Sequence, residues 1–202
     1  MPFSRRQRRT LRAMAGLFQS EVRIDLSVTP GDDDAPELAT LRDWADLTPA
    51  VTLAVLPTPL SPGASVELSL RPGGAKRPAL IMAGWPRGYE FVSLMQSAYL
   101  LSMPGRRMRH NANGAAVALY TSPTCPHSPI QLRHLMRVLE RVGTDGPLLV
   151  FDVTQAAAPP DAPSVGEVPL TVLRWHGQTA ARSGVQTENE IADWLQGAFA
   201  ET

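Results

Sequence analysis

The order of predicted elements repeats along the chain, and this repeat limits the folds that the chain can adopt. In each half, two apolar runs typical of strands flank an amphipathic helix, and a β-hairpin and a second helix follow. The predicted elements of the first half are a leading helix at 10–19, a strand at 21–29, a helix at 35–47, strands at 51–56, 65–70 and 77–83, and a helix at 89–103.

The second half repeats this order without the leading helix. Its predicted elements are a strand at 115–120, a helix at 129–142, strands at 148–154, 170–175 and 178–184, and a helix at 188–200. Thr187 and Glu190 have the spacing of a capping box at the start of the last helix. We therefore predict an α/β fold of two fused units, 1–107 and 108–202, each with a mixed central sheet and flanking helices.

Composition excludes several function classes. The net charge of the 202 residues is +0, so the chain has no general attraction to nucleic acid or to anionic membranes. No window reaches the ~18 apolar residues of a membrane span, and the apolar run after the N-terminal arginines is too short for an export signal. One cysteine cannot form an internal disulfide, which suits a reducing compartment, and we expect a cytoplasmic protein.

This cysteine, Cys125, lies where the strand at 115–120 leads into the helix at 129–142. Unpaired N–H groups and the positive end of the helix dipole favour the nucleophilic thiolate there. His127 adds a positive charge when protonated, and Pro126 fits the first helical turn without losing a needed N–H group. Ser128 occupies the position of the second cysteine in a C-x-x-C pair, so an internal resolving thiol is absent from this site.

The second half resembles a thioredoxin-like domain. The resemblance rests on the strand that ends in Cys-Pro-His-Ser, the β-α-β unit, the Val168-Pro169 pair before a hairpin, and the last helix. In that family a cis-proline precedes the hairpin and lies beside the redox cysteine. The resemblance therefore implies that the Val168–Pro169 bond is cis, that it lies beside Cys125, and that the preceding backbone is free to pair with a substrate peptide.

The whole chain resembles the N-terminal region of the alkyl hydroperoxide reductase flavoprotein subunit. Arg-Pro-Gly-Gly at 71–74 and Ala-Gly-Trp-Pro-Arg-Gly-Tyr-Glu-Phe-Val-Ser-Leu at 83–94 carry the match in the first half. The resemblance implies two fused thioredoxin-like folds, of which only the second is redox-active. No G-x-G-x-x-G follows a strand, so we expect the tandem module without flavin or nicotinamide domains. Ser128 and the proline-rich run at 156–163 depart from the family pattern.

These features predict monothiol thiol–disulfide exchange through Cys125. Without a resolving cysteine, the mixed disulfide is released only by an outside thiol, and glutathione or a partner cysteine could supply it. The expected catalytic residues are Cys125, Ser128, which could hydrogen-bond the thiolate, and His127. Pro126, Val168 and Pro169 are the expected substrate-binding residues. No resident cofactor is expected, and glutathione is the candidate co-substrate. The resemblance implies a thiol or disulfide protein partner, such as a peroxiredoxin or a flavin reductase.

Other interpretations remain open at this stage. Cys125 could be a relic, and the chain would then be a redox-inert protein-binding module that uses the same groove. The four histidines lack metal-ligand spacing, so no metal site is expected. A [2Fe–2S] cluster shared between two chains through Cys125 is disfavoured, because monothiol relatives of that kind have Gly-Phe where this chain has the bulkier Pro126 and His127.

Overall fold

The computed structural model describes residues 3–29, 34–56, 64–104, 115–144, 146–155 and 164–200. The elements of the first half are α1 (Arg5–Ala15), β1 (Val22–Val28), α2 (Pro36–Leu47), β2 (Val51–Val55), β3 (Val66–Pro72), β4 (Leu80–Ala83) and α3 (Gly88–Ser102). Those of the second half are β5 (Ala116–Thr121), α4 (Ser128–Val142), β6 (Leu148–Asp152), β7 (Leu170–Trp175), β8 (Gln178–Ser183) and α5 (Glu188–Ala200). The order of elements is the one that the sequence predicts.

The strands form one eight-stranded sheet with the order β2-β1-β3-β4-β6-β5-β7-β8. The two halves contribute equivalent sets of four strands, β2-β1-β3-β4 and β6-β5-β7-β8, which confirms the repeat. Within each set the first two strands are parallel and the remaining pairs are antiparallel. The halves meet at a parallel pairing between β4 and β6, in register from Leu80 and Leu148 to Ala83 and Phe151.

Strand β5 leads directly into the segment that contains Cys125. It lies between β6 and β7. Such a position buries both faces of a strand, and the apolar run AVALYT supplies side chains for both. Tyr120 is fully buried and stacks on Phe151 of β6, with ring centroids 5.3 Å apart. This packing fixes the chain immediately before the segment that contains Cys125.

The two halves are joined by helix packing in addition to the shared sheet. Helix α3 packs on α4 across the junction, and buried residues of both halves form one continuous hydrophobic cluster. A smaller cluster lies around Tyr120 and Val172 on the other face of the sheet. Among the described residues, no helix combines the length and the apolar character that crossing a membrane requires.

Some predicted boundaries are wrong. Helix α1 begins at Arg5 rather than near position 10, because Ser4 and Gln7 form a capping box there. Strand β4 begins at Leu80, later than predicted. The capping box of Thr187 and Glu190 is confirmed. The junction between the predicted units and the proline-rich run at 156–163 lie outside the described residues, so the bounds 1–107 and 108–202 stay a prediction.

Candidate functional site

The segment between β5 and α4 presents Cys125. Strand β5 ends at Thr121, and α4 begins at Ser128. The N–H of Cys125 donates to the carbonyl oxygen of Ser122 at 3.1 Å, which closes a turn. The carbonyl of His127 accepts from two N–H groups in the first turn of the helix. Cys125 therefore lies just before the N-terminus of α4, as the sequence predicts.

The thiol contacts the backbone that precedes β7. The Sγ of Cys125 donates a hydrogen bond to the carbonyl oxygen of Val168 at 3.5 Å. The Val168–Pro169 peptide bond is cis. The structure therefore brings together Cys125 and Val168, which the sequence predicts to share a site although they are 43 positions apart.

The side chain of Cys125 is almost entirely inaccessible to solvent. Only 7% of its surface is accessible, so it is a buried residue. The turn after β5 places the thiol against the backbone carbonyl of Val168, a contact that depends on the tertiary fold. On either side, Pro126 and His127 are exposed and could contact a partner.

Ser128 lies in the interior. It is 0% exposed, and its hydroxyl has no hydrogen-bond partner among the described residues. The Cys125 thiol therefore makes its hydrogen bond with the backbone carbonyl of Val168 and not with the Ser128 hydroxyl. The role of Ser128 in stabilising a thiolate stays a prediction.

One of the histidines has a hydrogen-bonding role. His134 uses its Nδ1 in a contact of 2.8 Å with the carbonyl oxygen of Gln186. Within the described ranges, no three His, Cys, Asp or Glu side chains form a group able to hold a metal ion. His110 lies outside those ranges.

A buried acidic pair, which the sequence patterns above do not predict, lies beneath this site. Glu90 of α3 and Asp152 at the end of β6 are 2% and 3% exposed. The hydroxyl of Thr121 donates to Glu90 Oε1 at 2.7 Å. Burial, together with the neighbouring Asp152, raises the pKa of Glu90 to about 8, although the Thr121 hydrogen bond opposes the shift. Glu90 is therefore mostly protonated at neutral pH.

Asp152 is tied to the first half through Gln155. Its Oδ1 accepts from the N–H and the hydroxyl of Thr154, at 2.8 and 2.7 Å, and its Oδ2 accepts from Gln155. The amide of Gln155 also binds both backbone groups of Trp85, accepting at 3.0 Å and donating at 2.9 Å. We call Glu90, Thr121, Asp152 and Gln155 the polar seam, because they join the two halves.

One sequence signal could have identified this seam. Glu90 is the sole acidic residue of the apolar segment at 89–103, and Asp152 ends the apolar run LLVFD. An acid within a strongly apolar element is rarely left unpaired, because burying an isolated charge is costly. Two such acids in elements that meet at one end of a sheet therefore indicate a paired cluster.

Solved structures share this architecture. Alkylhydroperoxide reductase AhpF from Enterococcus faecalis superposes with a TM-score of 0.74 and 16% identity, over 96% of this chain and 100% of that one. Its isolated NTD_N/C domain gives a TM-score of 0.72 at 16% identity, over 96% and 99% of the two chains. A protein disulfide oxidoreductase from Aeropyrum pernix gives 0.74 at 16% identity, over 98% and 94%.

Two comparisons of the sequence with known proteins give no match. The sequence matches no protein-family model and no curated protein. The structural similarity nevertheless covers nearly the whole chain in both directions. The chain therefore has the tandem thioredoxin-like fold of these proteins.

Proposed function

We propose that this protein carries out monothiol thiol–disulfide exchange through Cys125. The observation that carries the proposal is the contact of 3.5 Å between the Cys125 sulfur, at the N-terminus of α4, and the carbonyl oxygen of Val168. That carbonyl immediately precedes Pro169 and β7. A nucleophile and a backbone acceptor for a substrate strand thus lie side by side, in a fold shared with a protein disulfide oxidoreductase.

The exchange needs two steps. The Cys125 thiolate attacks one sulfur of a partner disulfide, a new S–S bond forms, and the other partner sulfur leaves as a thiolate. A second thiol, glutathione or a partner cysteine, then attacks the partner sulfur of the mixed disulfide and releases the Cys125 thiolate. Over both steps, one sulfur of the partner disulfide becomes bonded to the second thiol and the other sulfur is released as a thiolate. Cys125 returns to its thiolate form, with no net oxidation.

Other residues would assist binding. Pro126 and His127 are exposed beside Cys125, where they could contact the partner. Similarity to alkylhydroperoxide reductase AhpF supports a partner that is itself a redox protein, such as a peroxiredoxin or a flavin reductase. A single cysteine without an internal disulfide partner fits a reducing compartment such as the cytoplasm, where reduced glutathione is available.

Glutathione disulfide tests the first step. The native protein should gain one glutathione per chain, and excess reduced glutathione should remove it, because the leaving thiol comes from outside. Cys125 is the only cysteine, so intact mass reports this thiol alone. Cys125→Ser is the control. Labelling of the wild-type chain only after unfolding in urea would contradict the proposal.

Adding a resolving thiol tests the monothiol mechanism. In Ser128→Cys, an internal thiol should displace the bound glutathione, so the mixed disulfide should disappear at least about tenfold faster than in the wild type. The control is Thr179→Cys, which places a second thiol on the exposed strand β8. Quenched time points followed by intact mass give both rates. Equal rates in the two variants would show that position 128 cannot reach the bond.

The second candidate is a redox-inert protein-binding module. Two observations favour it: Cys125 is only 7% exposed, and Ser128 cannot resolve a disulfide. Capture of partners in excess reductant separates the candidates. If wild type and Cys125→Ser retain the same partners there and no covalent adduct forms without reductant, binding does not use the thiol.

A further inference from the structure

The first half contacts the segment that presents Cys125. We call residues 122–127 the cysteine loop. The N–H of Tyr89, in the first turn of α3, donates to the carbonyl oxygen of Pro123 at 2.9 Å. Pro123 lies between Ser122 and Cys125, whose backbones are themselves joined by the hydrogen bond that closes the turn. Helix α3 thus contacts the middle of the cysteine loop.

Gly88 allows this approach. Its φ is +48°, and a Cβ built at this position would lie 2.3 Å from the carbonyl oxygen of Pro123 and 3.2 Å from the carbonyl carbon. Both contacts are with backbone, which no side-chain rotation can relieve. Any other residue at position 88 must therefore displace the cysteine loop or the start of α3.

The same loop determines whether Cys125 is accessible. Only 7% of the Cys125 surface is accessible and its thiol donates to Val168, so movement of the loop away from Val168 would give a partner disulfide wider access to the sulfur. The hydrogen bond from Tyr89 of α3 to Pro123 opposes this movement. Glu90, the residue after Tyr89, accepts a hydrogen bond from Thr121 at the end of β5. The first half has no cysteine of its own, yet it contacts both the strand end that precedes the cysteine loop and the middle of that loop.

We propose that Gly88 is a positioning residue for Cys125, and that the α3 contact with Pro123 sets how often the thiol opens to a partner. The proposal builds on the proposed exchange function, for which opening of the thiol is the limiting access step. Local opening of this kind has its own free energy, separate from global unfolding.

Iodoacetamide measures the opening. In Gly88→Ala the native-state alkylation rate of Cys125 should rise about tenfold or more, because the new methyl group displaces Pro123. The matched control is Gly74→Ala. Gly74 also has a positive φ, +75°, but has no atom within 4 Å of a built Cβ. The control should lose stability through backbone strain and keep the wild-type alkylation rate.

Urea unfolding of both variants separates local from global effects. The proposal is overturned if folded Gly88→Ala is alkylated at the wild-type rate. It is also overturned if the alkylation rates of Gly88→Ala and Gly74→Ala both rise in proportion to their loss of unfolding free energy, because global unfolding would then explain the change. If Gly88→Ala does not fold, a second pair of variants tests the same contact. Tyr89→Pro removes the N–H that binds Pro123 at a helical position that tolerates proline, and Tyr89→Ala removes only the ring. Only the proline variant should raise the rate, and equal rates in this pair overturn the proposal.

The exchange assay with glutathione disulfide keeps the two proposals distinguishable. Faster alkylation in Gly88→Ala without glutathione transfer in any variant would remove the exchange function and leave the positioning role. Glutathione transfer in the wild type with no change in Gly88→Ala would remove the positioning role and leave the exchange function.

Discussion

Replacing Glu90 with glutamine makes the protein more stable than the wild type in mild alkali, by a few kcal/mol. The folded pKa of Glu90 is about 8, against an ordinary value of 4.5. Between these values the folded state keeps a proton that the unfolded state has lost. The free energy of unfolding therefore falls by about 1.4 kcal/mol per pH unit as the pH rises.

The sign of the effect defines its pH window. Below the ordinary value both states are protonated, and the stabilising contribution of Glu90 is fully present. It is lost as the pH rises through about 8, above which both states are ionised and the slope vanishes. Glutamine has the shape of the protonated acid: its oxygen can accept from Thr121, and its amide can donate to Asp152.

Urea unfolding from about pH 5 to about pH 9 measures this difference. Wild type and Glu90→Gln should have similar stability at the acid end and diverge toward the alkaline end. Asp193→Asn, an exposed carboxylate of α5, is the control and should follow the wild-type curve. Parallel curves for wild type and Glu90→Gln would mean that Glu90 is already ionised in the folded protein.

Replacing Gln155 with leucine lowers the free energy of unfolding by about 2 to 4 kcal/mol. The amide of Gln155 satisfies both backbone groups of Trp85, a residue that is 5% exposed, and also donates to Asp152. Leucine has nearly the same volume but makes none of these hydrogen bonds. The N–H and carbonyl of Trp85 would then be left buried without partners.

Denaturation in urea at neutral pH measures the loss, and Gln196→Leu is its control. Gln196 is an exposed residue of α5, so its replacement should change stability by less than about 0.5 kcal/mol. A loss in Gln155→Leu no larger than in the control would show that water replaces the amide. The polar seam would then contribute little to joining the halves.

Local patterns were sufficient to predict most of the elements. Strand β5 and helix α4 have the apolar run and the helical spacing that their burial requires, and both appear close to the predicted positions. The start of α1 was missed because its first turns consist of arginine and glutamine, which show no apolar periodicity. There the helix depends on the Ser4 capping box instead.

Contacts between distant segments were harder to predict. The pairing of β4 with β6 cannot be predicted from local sequence, because the apolar pattern of a strand does not depend on which strand it pairs with. The burial of Cys125 depends on Val168, and the need for glycine at position 88 depends on Pro123. The sequence placed the cysteine at the right helix end, but its accessibility is a property of the folded chain.

The cysteine-free half covers one edge of β6 through the parallel pairing of β4 with β6. Were residues 148–152 left without β4, their backbone amides and carbonyls would form an open sheet edge, and such edges recruit strands from other molecules. Loss of the first half would turn β6 from an interior strand into an edge strand, so the complete pairing of β6 depends on β4.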